Sequence, residues 1–282
     1  MILPGIRTLI AWYFEKRARI LISAAEHIKN KDLLLDFEKA IIARNSKFRD
    51  IHKDRRAFVI VNGPSLKKQD LSLLKNEITF TVNGFWKHPV IEHWQPTYHS
   101  LIDPAYFKDE PNIIDFWNEM NAKIPKSTLF IPLFRGYERN KKFNFTTRGN
   151  IYYIATMGDP FPSVDLTRLV QGFRSVSACA LAEAIFMGCN PVYLLGFDHD
   201  YLAYRGIDHH FYEGGTFKGH ENEYIPISEI SSYDKEMISM LALWANYKSL
   251  LKVAIKKDIK IYNATDGGYL DVFKRVSFNS IL

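Results

Sequence analysis

Short runs of apolar, β-branched and aromatic residues recur from Ala57 onward, each closed by a polar turn. The clearest is Ala57-Phe58-Val59-Ile60-Val61, apolar at every position and so suited to a strand buried on both faces. Ile78 to Val82, Thr97 to Ile102, Ser127 to Ile131, Pro191 to Leu195 and Ile259 to Tyr262 repeat the pattern. Between them, Ile113 to Met120, Ser177 to Met187 and Asp234 to Lys257 carry helical spacing. Strands alternating with helices predict an α/β fold: a Rossmann-like, doubly wound, mostly parallel sheet. The long polar and aromatic stretches Gly136 to Gly158 and Asp198 to Ile230 are expected as loops on the active side.

Ahead of the first strand, residues 7 to about 48 read as helix, broken near Lys29-Asn30-Lys31-Asp32 and resuming at Leu33 to Ala43. Leu9, Ile10, Tyr13, Phe14 and Ile20 alternate with Arg7, Lys16, Arg17 and Arg19, giving a basic amphipathic helix. Such a helix either packs on the domain with its basic face in water or lies on an anionic membrane surface. The expected division is a helical extension over 1–54 and one α/β domain over 55–282.

Composition narrows the function classes. With 282 residues, 47% hydrophobic and 14% aromatic, the chain can bury a sizeable core. Cys179 and Cys189 stand ten residues apart in an apolar stretch. That matches no zinc spacing and no disulfide framework, so packed thiols in a reducing compartment are expected. No run approaches the roughly 18 to 20 apolar residues of a membrane span, and Met1 to Ile10 lacks the regions of a secretory signal. The net charge of +6 suits anionic ligands. The basic residues are dispersed beyond the N-terminal helix, which argues against nucleic acid.

Candidate chemistry sits at the strand ends. The first strand runs into Asn62-Gly63-Pro64-Ser65, where Gly63 permits close backbone approach and Ser65 can cap a following helix and aim its amides at an anion. The tetrapeptide also reads as an ordinary turn, and neither a Walker loop nor GxGxxG is present. Asn83 ends the second strand and Asp103 the third, so Asn62, Asn83 and Asp103 form one expected rim. Further on, Gly196-Phe197-Asp198-His199-Asp200-Tyr201 leads to Tyr204 and to Asp208-His209-His210-Phe211-Tyr212. Histidine suits a general base near neutral pH, and tyrosine hydroxyls can meet a departing phosphate. A metal at Asp198, His199 and Asp200 is disfavoured if they continue the strand, because adjacent strand residues face opposite ways, and is open to them only as a loop. Near the end, Asn263 and Thr265 either read a base or ribose or shape the Asp266-Gly267-Gly268 turn.

Taken in order, these motifs resemble two groups: the bacterial family-42 sialyltransferases and the motility-accessory-factor (domain of unknown function 115) family. The resemblance runs from about Ala57 to Leu282. It is carried by Asn62 to Leu66, by Ser175 to Gly188 leading into Val192 to Asp198, by His209 to Tyr212, and by Tyr262 to Gly268 with Val272 to Val276. It implies a GT-A-like variant of the Rossmann-like sheet and a cytoplasmic enzyme, at the inner face of the membrane if the N-terminal helix attaches there. The implied reaction is an inverting, metal-independent transfer of sialic acid or a related nonulosonic acid from a CMP-linked donor, with no separate cofactor.

On that view Asn62, Gly63, Pro64 and Ser65 hold the nucleotide, with Asn83, Asp103, Ser175, Ser177, Gly196, Asp198, Asn263 and Thr265 around the donor. His210 matches the family's base, and Tyr201 or Tyr204 meets the leaving phosphate. The sequence departs from the sialyltransferase pattern at Asp200, where tyrosine is usual, and at Asp103, where asparagine is. Expected partners are the nucleotide-sugar, a glycan acceptor that includes the lipid-linked class, the membrane surface through the N-terminal helix, and further copies of the chain. Two other readings stay open: a Mg²⁺-dependent pterin-type pyrophosphokinase using Asp103, Asp198 and Asp200, and a non-enzymatic nucleotide-binding assembly factor.

Overall fold

The computed structural model describes residues 34–145, 149–157, 163–203, 210–212 and 232–282. The basic helix expected over residues 7 to 28 therefore lies outside the described residues, as do Tyr204, Asp208 and His209.

Eight parallel strands form one sheet in the order β10-β9-β8-β1-β2-β3-β4-β5. They are β1 (Ala57–Ile60), β2 (Ile78–Val82), β3 (Tyr98–Ser100), β4 (Thr128–Pro132), β5 (Ile151–Ile154), β8 (Val192–Leu195), β9 (Ile261–Asn263) and β10 (Lys274–Arg275). A separate two-stranded ribbon pairs β6 (Thr156–Met157) with β7 (Val170–Gln171). From β1 the chain steps outward through β5, then returns to lay β8 on the other side of β1. That reversal between β1 and β8 is a topological switch point, where turns at the carboxyl ends diverge and leave a crevice.

The doubly wound α/β fold is as the pattern predicts, and the helices cover both faces. Along β1, Ala57, Val59 and Val61 join one core with α4 (Val176–Phe186) and α5 (Tyr233–Lys256), while Phe58 and Ile60 join the other. That second core holds α2 (Pro111–Lys123) and two short 3-10 turns after β1, Pro64–Lys68 and Leu71–Leu74. One expectation fails here. Gly136 to Gly158 is not loop: it holds the end of α3 (Leu133–Phe143) and the edge strand β5. Tyr152 and Tyr153 alternate between the two cores, so the strand is buried on both faces despite its polar flanks.

The described part of the N-terminal segment docks on this body. Helix α1 (Asp36–Ala43) leads into a 3-10 turn over Arg44–Phe48. There the buried Asn45 donates to the carbonyls of Tyr153 and Leu166 at 2.8 Å each. No helix among the described residues is long and apolar enough to cross a membrane.

Helix α4 fixes the geometry that matters most. Its sequence, Val-Ser-Ala-Cys-Ala-Leu-Ala-Glu-Ala-Ile-Phe, is small or apolar all round, as a helix buried on every side must be. Cys179 is one of its packed residues, and both cysteines are buried and free. Its one carboxyl, Glu183, is fully buried and accepts hydrogen bonds from the Ser100 hydroxyl at 2.8 Å and from the Cys179 thiol at 3.5 Å. Burial raises this carboxyl from 4.5 to about 8, outweighing the two hydrogen bonds that pull the other way.

The linkage has a definite sign. Below pH 4.5 the folded and unfolded carboxyls are both protonated; between 4.5 and about 8 only the folded one keeps its proton, so stability falls as pH rises across that window. Urea unfolding from pH 5 to 8 should therefore show wild-type stability declining and Glu183→Gln declining less steeply; parallel slopes would refute this role for Glu183.

Candidate functional site

The crevice between β1 and β8 opens at the carboxyl end of the sheet as a cleft of about 170 Å³. Four segments meet there: the turn after β1 with Asn62 and Gly63, Asn83 after β2, the loop after β8, and the N-terminus of α4 with Ser175 and Ser177. His210 closes one side.

The two central turns are joined by a backbone bond from the Gly63 amide to the Gly196 carbonyl at 3.1 Å and by a carboxylate. Asp198 places one oxygen 3.2 Å from the Ser65 amide and the other 2.8 Å from the Ser65 hydroxyl, with both residues buried. The anion therefore caps the 3-10 turn Pro64–Lys68, which starts at Pro64. Ser65 does aim its donors at an anion, as expected, but the anion is the protein's own. Gly63 is required by the same contact, since a Cβ there would lie 1.7 Å from the Asp198 Oδ2 and 2.3 Å from the Gly196 carbonyl. Gly196 is at φ +72°, and a Cβ there would lie 2.6 Å from the Val61 carbonyl.

Above this clasp two asparagines line the cleft. Asn62 is 7% exposed; its amide donates to the Val82 carbonyl at 3.3 Å, and its side-chain oxygen has no hydrogen-bond partner. Asn83 sits at φ 48°, a left-handed conformation asparagine tolerates, and its side-chain oxygen also lacks a partner. A buried residue absent from the sequence reading supports it. His99 donates from Nε2 to the Asn83 carbonyl at 3.1 Å while Nδ1 meets the Thr81 hydroxyl at 2.8 Å. Two buried acceptors without donors form a polar surface that a ligand's hydroxyl or amino group can satisfy.

The N-terminus of α4 forms the facing wall. Ser175 caps it by accepting from the Ser177 amide at 3.0 Å, and the two hydroxyls touch. Ser177 then meets the Tyr247 hydroxyl at 2.6 Å, and Tyr247 meets His199 Nε2 at 2.8 Å. His199 lines the cleft but packs against Phe197, Trp244 and Tyr247; burial pushes its pKa down to about 4, so it is neutral at physiological pH. Tyr247 escaped the sequence reading because its place in a long amphipathic helix looks like that of any core aromatic.

The remaining expected residues divide. Asp200 and Tyr201 line the cleft, the Tyr201 hydroxyl resting 3.5 Å from the Met240 sulfur. His210 stacks on Tyr212 with ring centres 5.0 Å apart. Asp103 does not join the rim: it is exposed, and its carboxylate caps the next turn by accepting from the Ala105 amide at 2.8 Å. Asn263 and Thr265 take the turn-shaping alternative. Asn263 donates to the Leu270 carbonyl and accepts from the Thr265 amide, each at 3.0 Å, and the Thr265 hydroxyl accepts from the Phe197 amide at 3.0 Å. No described cleft-lining residue is Lys or Arg. Among the described residues no three His, Cys, Asp or Glu side chains cluster as metal ligands.

The profile of the family described as 6-hydroxymethylpterin diphosphokinase MptE-like matches residues 29–203, more than half of the chain. That span holds β1 to β8, α4 and both halves of the Ser65–Asp198 clasp. The chain belongs to this family. No curated protein matches it. Among solved structures this MptE-like chain is similar to a MAf glycosyltransferase from Magnetospirillum magneticum AMB-1, at 12% identity and a TM-score of 0.45. The match covers 86% of this chain and 38% of the other, so the MptE-like chain spans well under half the length of that enzyme.

The clasp yields a direct expectation. Gly63→Ala should force Asp198 off Ser65 and cost about 2 kcal/mol or more, read as a fall in thermal midpoint. Gly149→Ala, where a Cβ meets nothing within 4 Å, is the control. Equal midpoints for the two variants would show that the clasp does not hold the turns together.

Proposed function

We propose that the chain is a glycosyltransferase that takes a sugar, sialic acid or a related nonulosonic acid, from a CMP-linked donor. The supporting observation is the composition of the switch-point cleft: unpartnered asparagine oxygens on one wall, a serine-capped helix N-terminus on the other, and His210 at the side. In this reading the asparagine oxygens accept from the nucleoside, and the α4 N-terminus meets the phosphate through its dipole and hydroxyls. The anomeric carbon–oxygen bond breaks with its electron pair leaving on the phosphate, and the acceptor oxygen bonds that carbon from the opposite face. His210 takes the acceptor's proton. Tyr201 turns from Met240 to the departing phosphate. The acceptor is a glycan; a lipid-linked one would bring residues 1–33 to the membrane surface.

The family description favours a second reading, transfer of a diphosphate from ATP with Mg²⁺. Magnesium is usually held by one or two carboxylates together with substrate phosphates. Of the three acids expected for it, Asp103 is exposed at its own turn, while Asp198, with both oxygens on Ser65, and Asp200 line the cleft. The glycosyl reading comes first because Asp198 is held by the clasp and no three His, Cys, Asp or Glu side chains cluster among the described residues.

Thermal shift with CMP, UDP, GDP and ATP, each with and without Mg²⁺, separates the two. The proposal expects a shift with CMP that ignores Mg²⁺. It also expects His210→Asn to keep that shift while losing roughly 10²- to 10⁴-fold in transfer from a CMP-sugar. A shift confined to ATP with Mg²⁺ would overturn it in favour of diphosphate transfer.

A further inference from the structure

The hydroxyls at the head of α4 do not end at the cleft. They continue inward as one chain of hydrogen bonds, Ser175 to Ser177 to Tyr247 to His199, which crosses from α4 to α5 and back to the loop after β8. Each hydroxyl has one proton, so the chain can run in only two directions. Inward, Ser175 donates to Ser177 and presents only lone pairs to the cleft. Outward, His199 donates from Nε2 to Tyr247, Tyr247 to Ser177, and Ser177 to Ser175. The Ser175 proton is then free to point at a ligand. An anion at the α4 N-terminus accepts the outward direction and repels the inward one.

We propose that Tyr247 is a positioning residue, through which neutral His199 holds the Ser175 hydroxyl as a proton donor to a phosphate group at the head of α4. The inference rests on the reading of the cleft as a nucleotide site. The dipole of α4 is one reason to place the phosphate there. A separate observation points to a ligand in the same cleft: the Asn62 side-chain oxygen, more than nine-tenths buried and unpartnered at the facing wall, calls for a donor such as a nucleoside supplies. A neutral imidazole is the right terminus for such a chain, because it can donate from Nε2 and leave Nδ1 as an acceptor. Phe197, Trp244 and Tyr247 pack around its ring, and its backbone is held at φ 47°. Tyr247 is fully buried among the residues of the α4/α5 core and has no route of its own to a ligand, so its effect must pass through the Ser175 hydroxyl, which it meets directly and through Ser177.

The test compares CMP with cytidine, which lacks the phosphate. Tyr247→Phe should weaken CMP about tenfold, the worth of one charge-assisted hydrogen bond, and leave cytidine unchanged. In a Ser175→Ala background the same change should cost nothing further. Equal losses for CMP and cytidine, or no loss for either, would overturn the proposal. Should Tyr247→Phe fail to fold, the ¹⁵N spectrum of wild-type His199, assigned by its absence in His199→Gln, decides the matter. With CMP or inorganic phosphate bound, the proton is expected on Nε2, and a proton on Nδ1 would contradict the outward chain. If inorganic phosphate sets the Nε2–H form while no nucleotide binds, the nucleotide reading fails and the relay stands. If His199 keeps its proton on Nδ1 with phosphate and with nucleotide alike, the relay fails.

Discussion

One buried carboxylate holds the candidate site together. Asp198 bridges from the turn after β8 to the amide and hydroxyl of Ser65 in the turn after β1. In an open parallel sheet these two turns diverge at the switch point; beyond the last register pair, Ile60 with Leu195, the backbone adds only the Val61 amide to the Leu195 carbonyl at 3.0 Å and the Gly63 amide to the Gly196 carbonyl at 3.1 Å, and the carboxylate reinforces them. The clasp closes the floor of the crevice and makes Gly63 obligatory. It also leaves the cleft above it to the asparagines and to α4. The motif that looks most like a phosphate loop is thus satisfied from within, and the phosphate site we propose is the head of α4 instead.

That arrangement sets the electrostatics. The described lining has no Lys or Arg to balance a phosphate. In the proposed reading the balance falls to the α4 dipole and hydroxyl donors, with His199 held neutral by burial. Preorganised dipoles and hydroxyls stabilise charge with less desolvation than a buried cation would demand. Burial of α4 on every side fixes the direction of its dipole, and its alanines let it lie close against β1, β2 and β3.

Much of the fold was legible, because strands buried on both faces write continuous apolar runs and α4 writes a small-residue helix. The edge strand β5 was hidden by its polar flanks and its tyrosine pair. At the site, the order of strand ends brought Asn62, Asn83, Ser175, Ser177, Asp200, Tyr201 and His210 to one cleft, as strand-end positions in a parallel sheet must. Pairings across long separations carried no local signal: Ser65 with Asp198 and Ser177 with Tyr247 are matters of tertiary packing. Asn263, Thr265 and Asp103 misled for a physical reason, since side chains that end strands and cap turns are the same short polar types that bind ligands.

The central claim is that the crevice between β1 and β8 is the nucleotide site. Difference electron density from crystals grown with CMP tests it most directly. The account predicts the nucleoside against Asn62 and Asn83, with phosphate oxygens at the Ser175 end of α4. An ordered nucleotide elsewhere would contradict it, for instance in the open cavity of about 510 Å³ at the opposite ends of the strands, beside Trp94 and Lys126.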